Sequence, residues 1–295
     1  MFRRSVVFLF LVLCAAVAVA QEDDHKIACY AFPKTTESYK QKLWDGYEIS
    51  LGPARNAAET DGGDCTAAIY NRAGKVVFRT TGFGVIFDEE HTGMDFDGDG
   101  KGEVVFATDE AGGAHCCWIY NIVTLLPKPH RLFDVGTGAA VDFGKDDQGR
   151  MIIWERVGGA MGYTSMAQRP YAERVYRVND GKLVDVTPEF AAKLFSPGAG
   201  DVDEWTQMLT PENIKKLQSA KNLGPRTGED VEEIVSALLS RALQRVLCHQ
   251  YDQAMEDLNL WPEDSRDEMK DEFAASVKEF SPEFAARLAG VKSGK

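Results

Sequence analysis

The sequence predicts an α+β protein: an antiparallel, β-rich N-terminal domain followed by an α-helical C-terminal region. Three observations carry this. Up to about Val186, short runs of Val, Ile, Phe, Tyr and Trp alternate with turns rich in Gly, Asn and Asp, which is the grammar of antiparallel strands. After Val186 one helix-start device recurs, as Thr187-Pro188-Glu189, Thr210-Pro211-Glu212 and Ser281-Pro282-Glu283. Each offers an N-cap hydroxyl, a Pro at the first helical position and an acid where the helix dipole favours it. Between the two regions, Ser196-Pro197-Gly198-Ala199-Gly200 is small and turn-forming, and there the apolar period changes from about 2 to about 3.6.

In chain order, Arg3 and Arg4 precede an apolar run that ends in Ala18-Val19-Ala20, the pattern of a cleavable secretory signal over residues 1–20. Val6 to Ala20 is 15 residues, shorter than the roughly 20 that a spanning helix needs. The β-rich domain is expected over 21–196. Ala67 to Tyr70 and Lys75 to Arg79 flank Asn71-Arg72-Ala73-Gly74, and Val175 to Val178 and Lys182 to Val186 flank Asn179-Asp180-Gly181. Both have the form of hairpins. Glu103 to Thr108, Cys116 to Leu125 and Met151 to Glu155 read as further strands. The helical region is expected over 197–295, as an independent unit or a dimerisation element. Its longest helix should run from about Asp230 to His249, with Ile234, Leu238, Leu239, Ala242, Val246 and Leu247 on one stripe.

Formal charge narrows the partners. The chain carries −13, and losing Arg3 and Arg4 with no acids takes it to −15. Such a surface repels nucleic-acid phosphates and anionic headgroups, so no nucleic acid and, after signal cleavage, no membrane is expected. Signal cleavage also removes Cys14 and leaves Cys29, Cys65, Cys116, Cys117 and Cys248, an odd set for an oxidising compartment. Cys29 and Cys65 flank a 35-residue segment and are the favoured pair.

One motif carries chemistry. Asp95-Phe96-Asp97-Gly98-Asp99-Gly100-Lys101-Gly102-Glu103 sets acids at loop positions 1, 3, 5 and 9 and a Gly at position 6. That spacing suits a hard cation, and calcium is expected on the side chains of Asp95, Asp97, Asp99 and Glu103 with the Lys101 carbonyl. Nine acids and one Lys lie between Asp88 and Glu110, a density that asks for a counter-ion. An EF-hand would place an acid at position 12, where this chain has Phe106 in the run Val104-Val105-Phe106, so the loop leads into a strand.

A carboxylate at position 9 followed by a strand resembles the calcium loops of FG-GAP/VCBS repeats, the integrin-type units of β-propellers. Asp142 to Arg150 repeats the register 47 residues later, with Gly144 and Arg150 where the first copy has acids, and reads as a metal-free degenerate copy. Over about residues 70–186 the chain resembles exported bacterial proteins with such units. The resemblance implies blade-like hairpins and an ion, and two units are too few to close a ring.

Neither a nucleophile elbow, a zinc helix, a Walker loop nor a Cys-x-x-Cys pair is present. The leading expectation is therefore an exported, periplasmic or extracellular, non-catalytic module that binds a protein or glycan partner. The alternative is an exported enzyme or thiol-redox protein using His115 with Cys116 or Cys117.

Overall fold

A computed structural model describes residues 25–31, 34–35, 38–54, 64–109, 118–136, 141–158, 162–165, 168–198, 200–221, 223–224 and 228–291. The signal segment and His115, Cys116 and Cys117 lie outside the described residues. The fold is α+β. Among the described residues, fourteen strands form three antiparallel sheets, none closed on itself, and seven α-helices follow.

The first sheet is a meander of β3 (Tyr39–Lys42), β4 (Glu48–Pro53), β5 (Cys65–Tyr70) and β6 (Val76–Gly82). A second meander consists of β7 (Gly84–Asp88), β8 (Val104–Asp109), β9 (Trp118–Thr124) and β10 (His130–Val135). Strand β1 (His25–Ala31) pairs with the outer edge of β7, and β2 (Lys34–Thr35) pairs with β1. The third meander is β11 (Val141–Lys145), β12 (Met151–Gly158), β13 (Tyr171–Asn179) and β14 (Lys182–Asp185). Both predicted hairpins form, β5–β6 and β13–β14. The second turns through Asp180 (φ 50°) and Gly181 (φ 69°), the pair of left-handed residues that a tight hairpin requires.

The continuous apolar run at 104–106 marks a strand buried on both faces. Val104 and Phe106 join a core with Ile49, Leu51 and Ile69 of the first sheet. Val105 points the other way, into a core with Phe143, Met151 and Ile153 of the third sheet. The middle sheet thus lies between its neighbours, and the Cys29–Cys65 disulfide (Cα–Cα 5.7 Å) ties it to the first.

The helices are α1 (Ala191–Leu194), α2 (Asp201–Met208), α3 (Pro211–Ser219), α4 (Glu229–Leu247), α5 (Tyr251–Leu258), α6 (Arg266–Val277) and α7 (Pro282–Val291). All six residues of the predicted stripe on α4 are buried, in a core that takes in Tyr163 and Ala172 from the β region. Helix α4 ends in a Schellman motif, with His249 (φ 57°) donating to the Val246 carbonyl and Gln250 to that of Arg245. Thr210 caps α3 through the Asn213 N–H as its sequence predicts. Thr187 does not cap a helix: its hydroxyl accepts the Val175 N–H at 2.9 Å, and a 3-10 turn (Thr187–Phe190) leads into α1. Among the described residues, no helix is long and apolar enough to cross a membrane.

Candidate metal centre

The Asp95–Glu103 loop joins β7 to β8. Two backbone hydrogen bonds close its base, Gly93 N–H to the Glu103 carbonyl (2.7 Å) and Glu103 N–H to that of Met94 (2.9 Å). The chains approach so closely that a Cβ on Gly102 would stand 2.4 Å from the Gly93 oxygen. Phe96 anchors the loop: it is 2% exposed, with its ring edge-on to Phe143 at 5.2 Å and Phe133 at 6.2 Å. Gly98 turns the chain back at φ 81°, a conformation that strains a residue with a Cβ.

The carboxylates shape the loop around themselves. Asp95 accepts the N–H groups of Gly98 (2.7 Å) and Gly100 (2.9 Å). Asp97 accepts that of Asp99 (3.1 Å), and Asp99 that of Lys101 (2.8 Å). Three of the five expected ligands come together, since Asp95, Asp97 and Asp99 each offer a carboxylate oxygen within 4.8 Å of the others.

Glu103 is not part of this cluster and is fully buried. Its Oε2 accepts the Phe96 N–H at 2.8 Å, which turns the carboxylate into the loop, and Oε1 has no hydrogen-bond partner. Burial pushes this carboxyl up to about 7, the Phe96 N–H opposes that, and the charges of Asp97, Asp95 and Asp99 add to it. Lys101 plays a part that spacing alone did not suggest. Its ammonium pairs with Asp99 Oδ2 at 2.5 Å, which holds the Asp99 carboxyl below its ordinary value and raises the lysine. A lysine two positions from an acid was the available signal.

The second copy is built differently. Asp142 lies within β11 opposite Trp154, and only Asp146 to Arg150 forms the turn. Asp146 accepts the N–H groups of Gln148 and Arg150 and the Arg150 Nε–H at 2.8 Å, and an Arg177 nitrogen stands 3.3 Å away. Burial opposes the ionised form, but the Arg150 and Gln148 hydrogen bonds hold this carboxyl at about 2. Protein cations supply its charge compensation.

An open cleft of about 580 Å³ separates the loop from this turn, with Asp95 and Asp97 on one wall and Lys145 and Arg150 on the other. Close by, His91 Nδ1 meets Asp88 Oδ2 at 2.7 Å. Asp88 also accepts the His91 N–H (3.0 Å) and is buried at the end of β7. Sequence reasoning passed over this pair.

The residues present suit a hard divalent cation. Every candidate donor is oxygen, three carboxylates already converge, and a buried carboxylate oxygen of Glu103 at the end of the loop lacks a partner. No protein-family model, no curated protein and no solved structure matches the chain. The class is therefore read from fold and site alone: an α+β chain of three antiparallel sheets whose middle sheet carries, between two of its strands, three aspartates that could hold a metal ion.

Proposed function

We propose that this chain is an exported, non-catalytic binding module that calcium stabilises. One observation carries the reading: Asp95, Asp97 and Asp99 converge in the same loop that ends at the buried, half-unsatisfied carboxylate of Glu103. Four acids in one short loop repel one another, and a divalent cation with oxygen preference relieves that repulsion. Calcium accepts six to eight oxygens in irregular arrangements, so side chains, the Lys101 carbonyl and water suffice. The loop is fixed to the core through Phe96 and runs directly into β8, so an ion held there would rigidify the face between the second and third sheets. Export rests on the signal pattern of residues 1–20, and the bound partner is a protein or glycan outside the chain.

Calorimetric titration of the mature protein with calcium tests this. The expected outcome is about one ion per chain, a melting temperature that rises with calcium concentration by mass action, and strong weakening by Asp97→Ala and Asp99→Ala. Identical melting of the apo and calcium-loaded protein would overturn the reading.

A further inference from the structure

We propose that a cleft on the third sheet, on the face turned away from the second, receives the lysine or arginine side chain of a basic partner protein. This rests on the binding-module reading and deepens it by naming the partner's chemistry, and it uses no residue of the calcium loop. Asp142, Trp154, Arg156 and Glu173, from the neighbouring strands β11, β12 and β13, line a space of about 340 Å³, within the roughly 300–1,000 Å³ of small-ligand sites. Phe143 and Ile153, which alternate with Asp142 and Trp154, pack toward the second sheet.

Glu173 is the group left over. Arg156 stands directly opposite it on β12, where opposite charges on paired strands ordinarily meet. Its guanidinium turns instead to Asp201 on α2, at 2.7 Å, and lies over the Tyr171 ring at 4.3 Å. Arg177, on the same face of β13, is held by Asp146 and Glu189. Among the described residues, no ion pair or hydrogen bond falls to the half-buried Glu173 carboxylate. Burial raises this carboxyl above its ordinary value, Asp201 and Asp142 add to that, and Arg156 opposes it. A cation in the cleft supplies the missing partner.

Trp154 suits the cleft to an organic cation. The ring is only partly buried, and the protein's own Lys193 ammonium stands over it, 5.5 Å from its centroid, as cation–π attraction favours. A lysine or arginine side chain offers a charge to Glu173 and Asp142 and an apolar stem to the indole. The chain's charge of −13 draws cations from a distance, and a basic protein surface, which carries many, gains most from that field.

The test is fluorescence anisotropy of labelled peptides with the full mature chain at about 0.15 M salt, where remote charges are screened beyond roughly 8 Å, beside a calorimetric calcium titration. A short peptide of alternating Gly and Lys should bind, its Gly–Glu counterpart should not, and free N-acetyl-lysine amide should bind far more weakly than the peptide. Glu173→Gln should weaken the lysine peptide about tenfold, the worth of one charge-assisted hydrogen bond, and Trp154→Leu should weaken it as well. Glu256→Gln, the same change of charge at an exposed position of α5, should leave it unchanged. Three results overturn the cationic cleft while leaving the calcium reading intact: no binding of the lysine peptide, Glu173→Gln or Trp154→Leu bound like the parent, or an equal loss in Glu256→Gln. N-acetyl-lysine amide binding as tightly as the peptide overturns the assignment to a partner protein. Binding of the lysine peptide by a parent chain that gives no calcium heat overturns the calcium reading alone.

Discussion

Gln244 pairs with the backbone of Glu173 as a strand residue would: its Oε1 accepts the Glu173 N–H at 2.8 Å and its Nε2 donates to the Glu173 carbonyl at 2.9 Å. One turn earlier on α4, Ser240 Oγ accepts the Tyr171 N–H at 3.0 Å. A helix rises about 6 Å in four residues and a strand about 6.6 Å in two, so the two rows stay in step. Strand β14 covers β13 only from Tyr176 to Asn179. The side chains of α4, with Thr187 at Val175, close the rest of an edge that would otherwise offer unpaired amides to another chain.

Replacing Gln244 by Leu keeps the volume and removes both bonds. Two backbone groups on the half-buried Glu173 then lose their partners, which should cost about 1–3 kcal/mol. The urea midpoint should fall, and the Tyr171 and Glu173 amides should exchange faster while those of β5 do not. An unchanged midpoint would mean that the edge is satisfied in another way.

The same residues show what the sequence could and could not convey. Turn chemistry at Asn71 to Gly74 and Asn179 to Gly181 was legible because it is local, and the α4 stripe was legible because burial repeats at helical spacing. Ser240 and Gln244 lie on that helix equally buried, but a polar row has no hydrophobic signature. Thr187 carries every mark of an N-cap, and only the third dimension sets its hydroxyl against Val175. Strand β3, Tyr-Lys-Gln-Lys, is too short and polar to stand out. At the loop, spacing brought out the three converging aspartates, while the absence of Glu103 from that cluster goes with its burial and its bond to the Phe96 N–H, which spacing does not carry.

Glu103→Gln should separate stability from ion binding. The ionised carboxylate is buried with one oxygen unpaired, and its folded value lies at about 7 against an ordinary 4.5. A raised carboxyl costs the fold stability as pH rises through that window, and the full cost is present above it. The amide retains an acceptor for the Phe96 N–H, so above about pH 7 the calcium-free variant should be more stable by roughly 1–3 kcal/mol. Its calcium affinity should fall. Paired apo melts and calcium titrations check both halves, and a less stable apo variant would contradict the account.

His91 should make stability fall with rising pH as Glu103 does, but over a higher window. Burial lowers the imidazole, but the hydrogen bond and charge of Asp88, with Glu90 and Asp142, outweigh that and leave it above its ordinary 6.5. A raised histidine contributes stability that is fully present below about 6.5 and is lost as pH rises through the higher folded value. His91→Gln should therefore cost more near pH 6 than near pH 9, read from melts at the two values. Equal losses at both would show that the Asp88 pair does not titrate with the fold.

Asp146 and Asp97 should respond differently to the same substitution, although both lie in acidic turns of similar sequence. Around Asp97 the nearest partners are other carboxylates, Asp95 and Asp99, so its charge calls for a cation from outside. Around Asp146 the Arg150 and Arg177 guanidinium groups already supply that charge, at 2.8 and 3.3 Å. A divalent ion entering there would have to displace two fixed cations or sit beside them, and like-charge repulsion opposes both. Asp97→Ala should accordingly abolish most of the calcium heat, and Asp146→Ala should leave the isotherm and its single-ion stoichiometry unchanged. If Asp146→Ala weakened calcium as strongly as Asp97→Ala does, the second turn would be part of the metal centre and the division of labour between the two loops would fail.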